Sequence, residues 1–163
     1  MEVQGAKMNS QAQTAGRTNL ESIKLLCQSV VRRLESQKMI AVDRIKRNEL
    51  VDDMSAKMSA HILTQEDMEK SVLDSIGEKN EKLDELRLSG GEAYRTLRQS
   101  WLSRYGENEV DGLYFQQPIK YIADHMIAYL MKTDFVEEVF EEDAVLERVI
   151  VSTIGSFRRS KLH

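Results

Sequence analysis

Apolar residues recur along this chain at three- and four-residue steps, the period at which one face of an α-helix is buried and the other meets water. Ile23, Leu26, Val30 and Leu34 make the first stripe, behind a T-x-x-E capping box of Thr18 and Glu21. Leu50, Met54, Met58 and Ile62 make the second, at strict four-residue spacing, and predict a helix over about 44–61 capped by Asp43. Met68, Val72, Leu73, Ile76, Leu83 and Leu86 predict a long arm over about 65–88, opened by a cap at Thr64-Gln65-Glu66-Asp67. Tyr94, Leu97, Trp101 and Tyr105 mark a shorter helix over about 92–104. Ile119, Ile122, Met126, Ile127 and Leu130 follow Pro118, which suits a first helical position. The sixth stripe, Leu146, Val149, Ile150, Ile154 and Phe157, starts from a cap at Asp143.

Between the stripes lie two short apolar linkers, 39–42 and 135–140, a polar turn over 106–112, and Leu113-Tyr114-Phe115, whose shape suits a short extended segment. Ser89-Gly90-Gly91 is the strongest break and the expected hinge. Residues 1–18 carry neither hydrophobic period and read as a disordered tail. The expected organisation is therefore a tail at 1–18, a helical unit with its arm at 19–88, the hinge at 89–91 and a second helical unit at 92–163. Sliding the chain on itself by 96 positions places Ile23, Leu26, Val30, Val31 and Leu34 on Ile119, Ile122, Met126, Ile127 and Leu130. The same offset places Ile40 on Val136 and Leu50, Met54 and Met58 on Leu146, Ile150 and Ile154. The fold class expected is all-α, a bundle of about six helices built from two related helix-linker-helix units joined by the arm.

Composition narrows the chemistry. The chain has 163 residues, 41% apolar and 31% charged, with one proline and one cysteine. Collagen-like, low-complexity and disulfide-scaffold classes are excluded. No apolar run approaches the length of a bilayer span, so no membrane insertion is expected, and the lone Cys27 agrees with a reducing, cytoplasmic setting. His61, His125 and His163 lack a Glu three residues earlier, against a di-iron bundle, and zinc spacing, a nucleophile elbow and a phosphate-cradling glycine loop are all missing from the sequence. Neither a catalytic residue, a metal site nor a cofactor is expected.

Charge is unevenly spread. Residues 1–64 carry ten bases and seven acids, and 65–163 carry thirteen bases and twenty acids, for a net −4. Asp134, Glu137, Glu138, Glu141, Glu142, Asp143 and Glu147 put seven acids into fourteen residues with no base among them. That run is either a solvated linker with a dipole-favoured first turn, or a surface for a divalent cation or a basic partner. Its counterpart is a basic elbow at 32–47, where Arg32, Arg33, Lys38, Arg44, Lys46 and Arg47 face only Glu35 and Asp43, and Arg95 and Arg98 stand beside Trp101 on the fourth helix. Those cations and aromatics either hold a phosphate backbone and stack on bases, or rim a core.

Tyr94-Arg95-x-Leu97, Pro118-Ile119-x-x-Ile122-Ala123-x-x-Met126-Ile127 and, above all, the stretch from Phe135 through Val136-Glu137-Glu138-Val139-Phe140 to Glu141-Glu142-Asp143-x-x-Leu146 resemble the bacterial family designated domain of unknown function 507. The resemblance covers about 20–158, the first half as hydrophobic pattern only. It implies a small, wholly helical bacterial protein and brings no activity, cofactor or catalytic residue with it. The expected function is a non-enzymatic adaptor or assembly subunit that docks a protein partner through Glu137, Glu138, Glu141, Glu142 and Asp143, the partner being another protein or the basic elbow of a second copy. The alternative is an RNA- or DNA-binding accessory protein using Arg32, Arg33, Arg44, Lys46, Arg47, Arg95, Arg98 and Trp101.

Overall fold

A computed structural model describes residues 20–78 and 90–159. The Thr18 cap, the 1–18 tail, Ser89, and Leu83 and Leu86 of the arm lie outside the described residues. Six α-helices are described: α1 (Glu21–Ser36), α2 (Arg47–Met58), α3 (Gln65–Glu78), α4 (Gly90–Tyr105), α5 (Ile119–Lys132) and α6 (Asp143–Gly155). Five short strands separate them: β1 (Ile40–Val42), β2 (Ile62–Thr64), β3 (Glu109–Val110), β4 (Leu113–Phe115) and β5 (Val136–Val139). The expectation of a purely all-α fold is thus corrected to a mostly helical fold with two small antiparallel sheets.

The first stripe forms as expected, with Ile23, Leu26, Cys27, Val30 and Leu34 fully buried on α1. What stops α1 is a left-handed turn at Lys38, φ +60°. The amide of Lys38 donates to the Glu35 carbonyl at 2.9 Å and that of Met39 to Leu34 at 2.9 Å, which satisfies two of the carbonyls a helix end leaves open. The linker that follows is β1, and the linker before α6 is β5. They pair antiparallel, Ile40 with Val139 and Ala41 with Glu138, after which Val42 meets Val136. Glu137 is therefore an extra residue, a bulge on β5.

Asp43 caps as expected, its Oδ1 accepting from the Ile45 amide at 2.9 Å, but it opens a 3-10 turn (Arg44–Lys46) before α2 begins. The expected second helix is also too long at its far end. Ile62, placed on the helical stripe, sits in β2 and is buried there because it pairs with Phe115 of β4. At the start of α3, Thr64 and Asp67 cap each other. The Thr64 amide donates to Asp67 Oδ2 at 2.8 Å and the Asp67 amide to Thr64 Oγ1 at 3.3 Å. Gly90 and Gly91 are the first residues of α4. Pro118 lies one position before α5 rather than inside it, and Asp143 is the first residue of α6, with Glu142 at the cap and no capping side-chain bond.

Strand alternation divides the interior in two. Leu113 and Phe115 face the large core built by α1, α2, α5 and α6, whereas Tyr114 faces a second core with Met68, Val72 and Trp101 under α3 and α4. On β2, Ile62 joins the first core and Leu63 packs against the second. The three-stranded sheet, in order β2-β4-β3, is the wall between them. In the larger core α1 packs on α2 and α6, and α5 packs on α6 and α2, so the four helices close a ring. None of the described helices is long and apolar enough to cross a membrane.

Candidate protein-docking surface

The β1–β5 ribbon carries the acidic segment and one part of the basic elbow, and its register decides how they are presented. Adjacent residues of a regular strand point to opposite faces. The bulge breaks that rule on β5 and leaves both Glu137 and Glu138 exposed. Glu141, Glu142 and Asp143 continue the exposed run into α6. Among the described residues none of the five is in an ion pair.

Antiparallel pairing sends Glu141, Glu142 and Asp143 to one end and Arg44 and Lys46 to the other, with Glu138 opposite Ala41 and Glu137 in the bulge between. The Phe140 amide donates to the Met39 carbonyl at 2.8 Å, so the acidic exit of β5 lies where β1 begins. Val42 meets Val136, so Arg44 and Lys46, both exposed, lie where β5 begins. Each end also exposes a large apolar side chain, Phe140 (54%) among the acids and Ile45 (85%) between the bases.

The other basic residues are not brought to the ribbon. Arg47 is spent: its Nε and Nη2 donate to the two carboxylate oxygens of Glu35, both at 2.8 Å, and that hydrogen-bonded carboxylate raises the guanidinium pKa further. The pair spans a groove of about 810 Å³ between α1 and α2, which Lys24 and Asp52 bridge a second time at 3.4 Å. Arg32 and Arg33 are exposed on α1. Arg95 is exposed and Arg98 half-buried on α4, against the other core. Trp101 is buried there, edge-on to Tyr114 at 4.9 Å and tilted on Tyr105 at 4.8 Å, so its ring is occupied by protein aromatics rather than offered to a base.

Three polar arrangements escaped the sequence reading. His61, in the turn after α2, stacks on His125 of α5 with ring centroids 4.0 Å apart, and His125 Nε2 meets Gln117 Oε1 at 3.0 Å. Burial, and then the neighbouring His125, push the His61 pKa below its ordinary value. Across the α5–α6 contact the protonated Glu147 carboxyl donates to Asp124, which favours the neutral acid and raises the pKa of Glu147. The Tyr129 hydroxyl donates to Asp53 Oδ2 at 2.7 Å, tying α5 to α2. None shows in a one-dimensional pattern, because the His61–His125, Asp124–Glu147 and Tyr129–Asp53 contacts join residues at least 23 positions apart. Cys27 is enclosed, its thiol pushed up to about 12 by burial, so it is uncharged at neutral pH. Among the described residues no three His, Cys, Asp or Glu side chains converge as metal ligands would. Compared with known proteins, the chain matches no family model and no curated sequence.

Proposed function

We propose that the chain is a non-enzymatic adaptor or assembly subunit that docks a protein partner on the β1–β5 ribbon. The observation that carries this reading is the pairing of an exposed apolar side chain with a charged surround at each end, Phe140 with Glu141, Glu142 and Asp143 and Ile45 with Arg44 and Lys46, with Glu137 and Glu138 exposed along the ribbon between them. An aromatic anchor inside a polar rim is the anatomy of a protein interface, whereas a nucleic-acid surface would want cations and free aromatics together. Among the described residues these acids are in no ion pair, and a basic partner surface would offset their mutual repulsion. Because the two ends are opposite in charge, a second copy docking head to tail also fits. The chain is read as a cytoplasmic protein of the family it resembles. The helix-strand-helix order at 21–58 and 119–155, with β1 and β5 paired to each other, supports reading the two stretches as copies of one unit.

The test is purification of the tagged full chain from its own cells, at low and moderate salt, with and without nuclease. Stoichiometric protein that survives nuclease with the parent chain and is lost from both Glu137→Lys/Glu138→Lys and Phe140→Ser is the expected result. Retention unchanged by both variants overturns the reading. Material released by nuclease overturns it in favour of RNA or DNA binding through Arg32, Arg33, Arg44 and Lys46.

A further inference from the structure

A groove of about 420 Å³ lies between the second half of α1 and the end of α6, away from the ribbon's acidic run. Arg32, Arg33 and Arg158 line it with Ser29, over Phe157, and no carboxylate lines it. The nearest acid in sequence, Glu35, is held by Arg47 in the neighbouring groove. None of the three arginines is ion-paired among the described residues. Arg158 donates through Nη1 to the Phe157 carbonyl at 2.6 Å and to the Gly155 carbonyl at 3.5 Å, which ties the guanidinium to the end of α6 and leaves its other N–H groups without a hydrogen-bond partner among the described residues.

Neutralising the two helix ends does not use up the charge of these arginines. The last turns of α1 and α6 border the groove, and each helix C-terminus carries roughly half a negative charge, about −1 in all. Three guanidinium groups supply three positive charges, so an excess of about +2 remains after both helix ends are satisfied. A phosphate monoester carries about −1.5 to −2 at neutral pH and presents the oxygen pairs that guanidinium forks grip. Space agrees, since small-molecule sites run from roughly 300 to 1,000 Å³. We propose that this groove binds a small phosphomonoester, its phosphate held by Arg32, Arg33 and Arg158. The site is separate from the docking ribbon, and its occupancy does not depend on a protein partner.

The experiment is calorimetric titration of the purified full chain, at low salt, with glycerol 3-phosphate and then with inorganic phosphate in competition. Saturable 1:1 binding is expected, weakened about tenfold or more by either Arg33→Ala or Arg158→Ala, each of which removes a charge-assisted bond. Arg33→Lys and Arg158→Lys keep the charge without the fork and are expected to fall between. Arg95→Ala, on the other core, is expected to bind as the parent does. No saturation by about 10 mM ligand overturns the proposal, being weaker than any useful small-molecule affinity. Equal binding by the parent and both alanine variants overturns it as well. So does an oligonucleotide that binds through these arginines and is not displaced by phosphate. Circular dichroism reports folding of each variant, and the lysine pair decides the matter where an alanine variant is unfolded.

Discussion

Lys38 offers the sharpest test of how the ribbon is aimed. Its left-handed backbone ends α1, starts β1 and so positions the Met39 carbonyl that receives Phe140 at the acidic exit. The left-handed region costs an L-residue about 1–2 kcal/mol and glycine almost nothing. Lys38 is exposed and makes no ion pair among the described residues, so replacing it changes little besides the backbone. The informative comparison is Lys38→Gly against Lys38→Ala. Glycine is favoured in the folded state by that 1–2 kcal/mol and disfavoured by about 0.4–1 kcal/mol through its freer unfolded chain, so a net gain of about 0.5–1 kcal/mol is expected. At an exposed helix interior such as Ser100 the order reverses, and Ser100→Ala is expected to exceed Ser100→Gly by about 1 kcal/mol.

Thermal unfolding followed by circular dichroism reads both comparisons. At this chain length about 1 kcal/mol moves Tm by roughly 2–4 °C, so the Lys38 pair is expected to differ by about 1–4 °C with glycine the higher. The same sign at both positions, with alanine the more stable at 38, refutes the left-handed turn and with it the register that presents the acidic end.

Two further outcomes follow from the polar contacts. Tyr129→Phe removes a bond to a carboxylate that is partly solvated, and is expected to cost about 1–2 kcal/mol in urea unfolding; a cost near zero would mean that α2 and α5 do not meet through Asp53. His61 titrates below its ordinary value in the folded chain, so the unfolded chain binds more protons as pH drops through about 6.5, and the folded state loses stability there while being unaffected well above it. The fall in Tm between neutral pH and about pH 5 is expected to be shallower in His61→Asn; parallel curves would refute the stacked pair.

How much of this was legible depends on the range of the interaction. The helical stripes on α1, α5 and α6 are local, and Ile23 to Leu34, Ile122 to Leu130 and Leu146 to Ile154 are buried as their spacing implies. Caps are local too, and Asp43 and Thr64 cap where the sequence places them. Strands of two to four residues carry too few positions to show a period of two, so β1 and β5 read as linkers and β2 as the tail of a helix. One local signal did stand in the sequence: Asp111-Gly112, both at positive φ, is the two-residue hairpin turn that pairs β3 with β4, inside what reads as a polar turn. The Leu113-Tyr114-Phe115 segment was readable as extended, but that its alternate faces would serve two different cores depends on β2, 49 positions earlier, arriving beside it.

The same distinction explains the candidate surface. Charge density is a property of composition, so the acidic run and the basic elbow are visible in one dimension, and so are their residue numbers. Whether they cancel depends on strand direction. Parallel pairing of β1 with β5 would have set Arg44 and Lys46 beside Glu141 and Glu142 and neutralised both within one molecule. Antiparallel pairing separates them by the length of the ribbon, about four residues or roughly 13 Å, beyond the screening length of about 8 Å at physiological salt. Each end therefore keeps its charge and its exposed apolar residue, and if the proposed docking is right, raising salt is expected to weaken association at either end without loosening the fold, whose core beneath the ribbon is apolar.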